Sequence, residues 1–413
     1  MCWVGLSSCP SAGDVRILQL HSRYRQRGGE DEVVDAEATV LKGDGHHIHQ
    51  LIEQNPEDRF LAAGNLILSP WNPTAMRRVA DAVEDFQPDV AHVHNTWFAM
   101  SPGVIRTLKK AGVPVVMTLH NYRLTCANGL LFRDGAPCQL CVGSNPWHAV
   151  RYGCYRGSRT QSVPAAATID LHQKMGTWTR SVDTFIALTE FQRELMVRAG
   201  LPTEKITVKP NFVRDPGPRR APPSESNVVL YVGRLSEEKG TRSLVEAWRS
   251  AAISDLELVI VGGGPELRSL ERDQPPCMRL TGPLPQEEVQ TIMLSARALI
   301  LPSLWFEPMG MVLLEAFAAG LPVAVSGGGP PAQIVGAALG PSWIFQSGDP
   351  ASIATTLRNL GDDVMCDSAS DLARQAFEAS FSESLAADRL VEIYRPLVRQ
   401  ENPTIMHETR RDI

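Results

Sequence analysis

The chain lacks a surplus of positive charge: 40 Lys and Arg against 46 Asp and Glu leave a formal net charge of -6 over 413 residues. That balance argues against a general nucleic-acid binder, whose surface normally carries a basic excess. It also lacks any run of about 18 apolar residues, so nothing in it reads as a membrane-spanning helix. The first residues, MCWVGLSSCPSAGDVRI, have neither a basic n-region nor a long apolar core, and no signal peptide is read there. A cytoplasmic location follows as an expectation, with loose membrane association compatible with it. Internal repeats and low-complexity tracts are missing too, which sets aside solenoids and extended disorder.

What is present is ordinary globular composition, 43% hydrophobic and 21% charged, in a chain too long for one core. Short apolar, β-branched runs alternate with helical patterns: VRILQL, DVAHVH, VPVVMTLH, TFIALT, VVLYVGRL, LELVIVGGG, ARALILPS and LPVAVS. That alternation predicts α/β architecture with parallel sheets. The segment PNFVRDPGPRRAPPSESN, 210 to 227, is rich in Pro, Ser and Arg, and is the natural linker. The expected organisation is therefore an N-terminal Rossmann-like domain over 1–212 with a Cys-rich insert at 126–154, a C-terminal Rossmann-like domain over 213–400, and a polar tail over 401–413. Open α/β sheets bind ligands at the carboxyl ends of their strands, so two facing domains would enclose a cleft.

The stretch WFEPMGMVLLEAFAAGLPVAVSGGG, 305 to 329, places Glu307 and Glu315 eight residues apart around an otherwise apolar helix. A carboxylate on a packed helix face costs several kcal/mol unless it has a partner. With a helix start near Gly310, Glu307 falls in the entry loop and Glu315 roughly 7 Å along the axis. A helix N-terminus suits a phosphate, and ionised carboxylates accept from vicinal sugar hydroxyls. The pattern reads as sugar, diphosphate, ribose. Taken alone, a surface loop charge and an exposed helix residue are the simpler account of the two acids, and the rest of the chain is what shifts the reading. Upstream, VVLYVGRLSEEKG carries Gly233, then Arg234 and Lys239 in a strand-to-helix turn, both suited to phosphate oxygens. The glycines of VGGGP, 262 to 265, would admit a ligand or make a plain tight turn.

In the first half, Gly28 and Gly29 sit at a strand-to-helix turn where missing side chains admit a phosphate or sugar, followed by the acidic helix start Glu30, Asp31, Glu32. Two His-Asn pairs, His94-Asn95 and His120-Asn121, close two strands at their carboxyl ends. Four of the eight cysteines, Cys126, Cys138, Cys141 and Cys154, fall within 29 residues, with a C-x2-C pair flanked by one Cys on each side. In a reducing compartment such clustering favours a closed four-thiolate structural site, most simply zinc; four unrelated loop thiols are the alternative. Arg151, Arg156 and Arg159 with two tyrosines suit an anionic lipid-linked acceptor or a membrane surface, and equally a solvated basic loop.

Together, YVGRLSEEKG, LPSLWFEPMGMVLLEAFAAGLPVAVS and SGGGPPAQIV resemble the donor half of family-4 retaining glycosyltransferases of the GT-B fold. The resemblance covers most of the chain, and it implies two Rossmann-like domains facing a cleft. It implies transfer of a sugar from a nucleotide-diphosphate sugar to a hydroxyl acceptor with retained anomeric configuration, as a hexosyltransferase, on a lipid-linked or polysaccharide intermediate. Arg234 and Lys239 would then grip the diphosphate, Glu307 the transferred sugar, and Glu315 the ribose. The amides of Gly310, Met311 and Val312 would meet sugar and phosphates, and His120 would lie near the reacting sugar. The chain departs from that family at Met309, Met311 and Gln333, the last standing where an acid often follows the Gly-rich turn. No organic cofactor is implied. No Asp-x-Asp motif precedes the donor segment, so a catalytic divalent metal is not required. A sugar-nucleotide epimerase or phosphorylase on the same scaffold, and a non-catalytic sugar-nucleotide binder, are the rivals.

Overall fold

The computed structural model describes residues 14–25 and 28–398. Residues 1–13 of the N-terminal stretch read for a signal peptide, and the polar tail, lie outside the described residues. The strands are β1 Arg16–Arg23, β2 His47–Gln54, β3 Val90–Asn95, β4 Val115–Thr118, a small antiparallel hairpin β5 Phe132–Arg133 and β6 Ala136–Pro137, β7 Thr184–Ala187 and β8 Ile206–Val208. The second half adds β9 Val228–Val232, β10 Glu257–Val261, β11 Met278–Gly282, β12 Ala298–Leu301, β13 Val323–Ser326 and β14 Ile344–Phe345. They form two six-stranded parallel sheets, ordered β2-β1-β3-β4-β7-β8 and β11-β10-β9-β12-β13-β14. The central strands β3, β4, β12 and β13 are buried at every residue, as a sheet covered by helices on both faces requires.

Each sheet reverses its strand order once, between β1 and β3 in the first and between β9 and β12 in the second. Carboxyl ends at such switch points are where open α/β sheets take ligands. The chain leaves β1 toward Gly28-Gly29, β3 ends on His94-Asn95, β9 leads to Gly233-Arg234, and β12 leads to Glu307. Sheet topology thus gathers the residues singled out above.

Two features depart from the expected division at 212/213. The helix Glu383–Tyr394 packs on the first sheet: Leu390 and Tyr394 lie in one cluster with Ile17, Val90, Val116 and Ile186. Its apolar stripe completes a face that the first half leaves bare, so the second-half boundary at 400 is corrected there. The Pro- and Arg-rich connection is also no free tether. Arg219 donates to the carbonyls of Gly320 and Ala296, and Arg374 makes a bidentate pair with Asp215 at 2.7 and 2.6 Å. These planar forks fasten the segment to the second half.

Candidate active site

The segment from β12 to the helix Met311–Ala318 carries Glu307 at its bend. Its side chain is buried, receiving Lys239 Nζ at 2.5 Å on Oε1 and Ser303 Oγ at 3.0 Å on Oε2. Gly310 caps the helix, and a Cβ there would stand 3.0 Å from Glu307 Oε1. The carboxylate, the ammonium and the helix N-terminus therefore share one small volume. Lys239 also lies 5.6 Å from the centre of the Trp305 ring. Arg234 is exposed, and among the described residues its guanidinium has no ion-pair partner.

Gly240 and Gly262 let these loops touch. At φ +70° and +144° respectively, they approach the carbonyls of Pro302 and Gly233 so closely that a Cβ would fall at 2.0 and 1.9 Å. The Gly262 turn thus packs backbone against backbone beside the Arg234 loop, favouring the tight-turn reading of VGGGP.

Glu315, one and a half turns into the helix, accepts from Gln286 Nε2 at 2.9 Å. Burial pushes its carboxyl up to about 7, with the charge of Glu32 adding to the effect. Since Glu32 belongs to the first half, Glu315 looks across the cleft. Met311 does so physically: a Cβ on Gly29 would sit 2.7 Å from its Cγ. Asn211 N donates to Met309 Sδ at 3.2 Å, and the Phe191 and Phe306 rings lie 5.1 Å apart. Tyr122 of the first half is buried, and both burial and the Glu307 charge hold its hydroxyl well above the ordinary range. A cavity of about 370 Å³ opens beside this segment, between Trp305, Phe306, the glycines Gly327 to Gly329 and the hairpin Gly135 to Pro137.

On the first-half wall, His120 Nε2 and His94 Nδ1 are 2.9 Å apart. Burial drives the pKa of both rings well below the ordinary value, with the neighbouring histidines and Lys209 adding to it. Asn121 Nδ2 reaches Tyr24 Oη at 3.2 Å and Glu30 Oε2 at 3.3 Å, whereas Asn95 ties its own loop by donating to Ser22 O and accepting from Trp97 N. Of the two His-Asn pairs, Asn95 is therefore structural. Gly28 N donates to Asp31 Oδ2, and Asp31 Oδ1 also holds His21 Nε2 at 2.7 Å.

The acidic helix start is more than a complement to the macrodipole. Burial pushes the Glu30 carboxyl up to about 8, Asp31 adds to it, and Arg123 opposes. Sequence reasoning read Glu30 only as part of a helix start that suits the macrodipole, and it passed over Tyr24. It also passed over the buried pair Glu37 and Lys209, 2.7 Å apart, because lone charges in amphipathic segments carry no pattern. Glu37, His92 and His94 present ligand atoms within 4.8 Å of one another. The Lys209 ammonium beside Glu37 already supplies the positive charge a metal ion would bring, so the donor set does not fit a cation.

The four cysteines of the insert are free thiols, Cys126 buried and the other three half-buried. Cys126 Sγ donates to Asn128 Oδ1 at 2.9 Å. Burial, and then the nearby sulfurs, push Cys141 up to about 12 and Cys154 up to about 11. The sulfurs feel one another's charge, but no three of them lie within 4.8 Å among the described residues. Arg151 lies 5.6 Å from the Tyr152 ring and Arg156 lies 5.2 Å from the Tyr155 ring, so the basic run is partly spent on local cation–π contacts.

Two Rossmann-like sheets, paired carboxyl ends and a cation-carboxylate-helix cluster at the second switch point define a GT-B glycosyltransferase fold. Solved structures agree. Anabaena HepE in complex with UDP and glucose aligns with TM-score 0.65 at 16% identity, covering 92% of this chain and 100% of that one. Sucrose-phosphate synthase from Thermosynechococcus elongatus aligns with TM-score 0.69 at 17% identity, covering 92% and 99%. The model for glycosyl transferases group 1 matches residues 218–378, and that for the glycosyl transferase 4-like domain matches 14–211. The two models together span most of the chain, which belongs to this family of glycosyltransferases. Among curated relatives, the 2-deoxystreptamine glucosyltransferase of Streptomyces kanamyceticus is 26% identical over 303 residues, 71% of this chain and 73% of that protein. The D-inositol 3-phosphate glycosyltransferase 1 of Catenulispora acidiphila is 28% identical over 331 residues, 75% and 72% respectively. Neither the family models nor these relatives support the epimerase alternative. No described helix is long and apolar enough to cross a membrane.

Proposed function

We propose that the protein transfers a sugar from a nucleotide-diphosphate sugar to an acceptor hydroxyl with retention, using the cleft between 14–212 and the second sheet. The observation that carries this reading is the Lys239–Glu307 pair at the start of the helix Met311–Ala318. Lys239, Arg234 and the helix N-terminus stabilise the diphosphate as negative charge develops on the leaving group, where such groups count most. Glu307 binds the transferred sugar. Glu315 accepts from the ribose hydroxyls, Met311 and Val312 amides meet the phosphates, and Gly28 and Gly29 let the donor approach the facing helix. Exposed Arg234, with no ion-pair partner among the described residues, is free to meet a phosphate.

The acceptor is a hydroxyl compound, with a lipid-linked intermediate suited to the exposed Arg151, Arg156 and Arg159. The protein acts in the cytoplasm, with peripheral membrane contact through that run. Neither an organic cofactor nor a divalent metal takes part in transfer. The donor set Cys126, Cys138, Cys141 and Cys154 suits one structural zinc ion, which would staple the insert. A thermal-shift panel of nucleotides and nucleotide sugars identifies the donor, since saturating a site 100-fold stabilises by about 2.7 kcal/mol. Turnover of the labelled donor then separates an enzyme from a binder: bound donor that is never transferred under any acceptor condition overturns the reading.

A further inference from the structure

His120 closes β4 at the cleft, and what it can do there depends on which ring nitrogen carries its proton. A chain of hydrogen bonds behind it fixes that proton. It starts at Gln19, buried in the middle of β1. Gln19 Nε2 lies 3.2 Å from the carbonyl of Val34, which can only accept, and Gln19 Oε1 receives Gln50 Nε2 at 2.8 Å. The Val34 carbonyl orients the amide with its NH2 toward the interior, and Gln50 presents its own NH2 to the oxygen that this leaves. The same NH2 lies 3.1 Å from His94 Nε2. That nitrogen is therefore an acceptor.

A neutral imidazole with Nε2 accepting holds its proton on Nδ1. Neutrality follows from surroundings: the ring is fully buried and shares its neighbourhood with His92 and the Lys209 ammonium, so a second positive charge is disfavoured. Glu37 Oε2 is 3.6 Å from His94 Nε2, beyond hydrogen-bond reach, and its partner oxygen is held by Lys209. His94 Nδ1–H then donates to His120 Nε2, 2.9 Å away in a nearly coplanar arrangement of rings. Its Nε2 thus committed as acceptor, neutral His120 carries its own proton on Nδ1. No described residue partners that nitrogen, and the residue is half-buried.

We infer that His94, set by Gln19, is a positioning residue that locks His120 in the Nδ1–H tautomer, so that His120 offers a hydrogen-bond donor to a hydroxyl oxygen of the transferred sugar rather than acting as a base. The inference rests on the donor-site reading for the function of His120, but the tautomer itself does not. A neutral donor orients the hydroxyl without placing a second positive charge beside a sugar that becomes electron-poor as its bond to the diphosphate breaks, and it cannot remove the acceptor's proton. Deprotonation of the acceptor hydroxyl is left to the departing phosphate.

The test is nitrogen NMR on protein labelled with 15N at histidine only, at neutral pH, with the His94 and His120 signals identified by their loss in H94Q and H120Q. Both rings should show a protonated Nδ1 and an unprotonated Nε2. An Nε2–H tautomer at either ring, or an imidazolium at either, overturns the inference. The Q19L protein gives an independent reading: the His94 and His120 signals should move away from the pure Nδ1–H form. Unchanged tautomers in folded Q19L would remove Gln19 as the origin of the order. No nucleotide sugar enters these measurements. A reversed tautomer therefore leaves glycosyl transfer standing, and a failure of transfer with the stated tautomer leaves this inference standing.

Discussion

Lys239 Nζ and Glu307 Oε1 stand 2.5 Å apart although 68 residues separate them, joined because Gly240 lets the first loop lie against the carbonyl of Pro302. The pair sets a cation and an acid at one helix start. A leaving diphosphate gains charge as its bond to the sugar breaks, so a cation aimed at it acts more in the transition state than in the bound ground state. Lys239→Ala should lower kcat by about 10²-fold or more while changing donor affinity less. Steady-state kinetics with donor binding measured separately checks this. A loss confined to affinity, with normal kcat, would make Lys239 a binding residue only.

Glu315 gives a pH dependence. Burial raises its pKa to about 7, so it is largely protonated below that value and a full acceptor above it. Ribose hydroxyls need the acceptor. Nucleotide affinity should therefore rise as pH increases through about 7, and Glu315→Gln should flatten that rise while weakening binding at high pH by roughly 1.5 to 3 kcal/mol. Calorimetric titration of UDP and GDP at several pH values reads both effects. A wild-type profile that E315Q leaves unchanged would contradict the ribose assignment.

Glu30 bears on stability. Its carboxyl, raised from 4.5 to about 8 by burial and then by Asp31, holds a proton in the folded chain that the unfolded chain has already released. The folded state binds more protons between those values, so this group's contribution makes stability fall as pH rises from about 4.5 to about 8, and the loss is complete above. Glu30→Gln removes it. Relative to wild type, E30Q should gain stability on the order of 3 kcal/mol between about pH 5 and pH 8. Urea midpoints across that range measure the difference, and parallel curves would show that Glu30 ionises freely.

The sequence and the structure agree most closely at the sheet centres. Runs such as VVLYV and ALIL are apolar at every position because both sheet faces are covered, and all eight predicted strands exist. The strands that sequence reasoning did not find include all four sheet edges, β2, β8, β11 and β14. HIHQLIEQ, in β2, is exposed or half-buried throughout, so it carries neither a continuous apolar run nor a clean alternation. Within the candidate site, Glu307 and Glu315 could be singled out from local spacing, and Lys239 from its place in a strand-to-helix turn. Glu37, Lys209 and the Gln19–His94–His120 chain were not, since each joins residues far apart in sequence whose partners only the fold supplies. The C-terminal helix was assigned to the second half for the same reason: nothing in ESLAADRLVEIY states which sheet its apolar stripe covers.

The cysteine insert offers the most exposed prediction. Its four thiols come from different turns: Cys126 after the β4 loop, Cys138 and Cys141 after the small hairpin, and Cys154 after the short helix His148–Tyr152. Burial and mutual proximity raise Cys141 and Cys154, which makes four thiolates together untenable without a compensating cation. A zinc ion would supply that charge, and drawing the sulfurs onto one ion would close a loop that otherwise depends on single contacts such as Thr125 Oγ1 to Cys141 O. Protein purified without chelator should carry about one zinc per chain. Cys138→Ser or Cys141→Ser should release it and cost stability far beyond a surface substitution, with activity falling only as far as the nearby cleft is disturbed. Elemental analysis together with thiol alkylation of the folded protein decides the matter. Absence of zinc and iron, with all four thiols alkylated at the rate of free cysteine, would leave four loop thiols and no metal site.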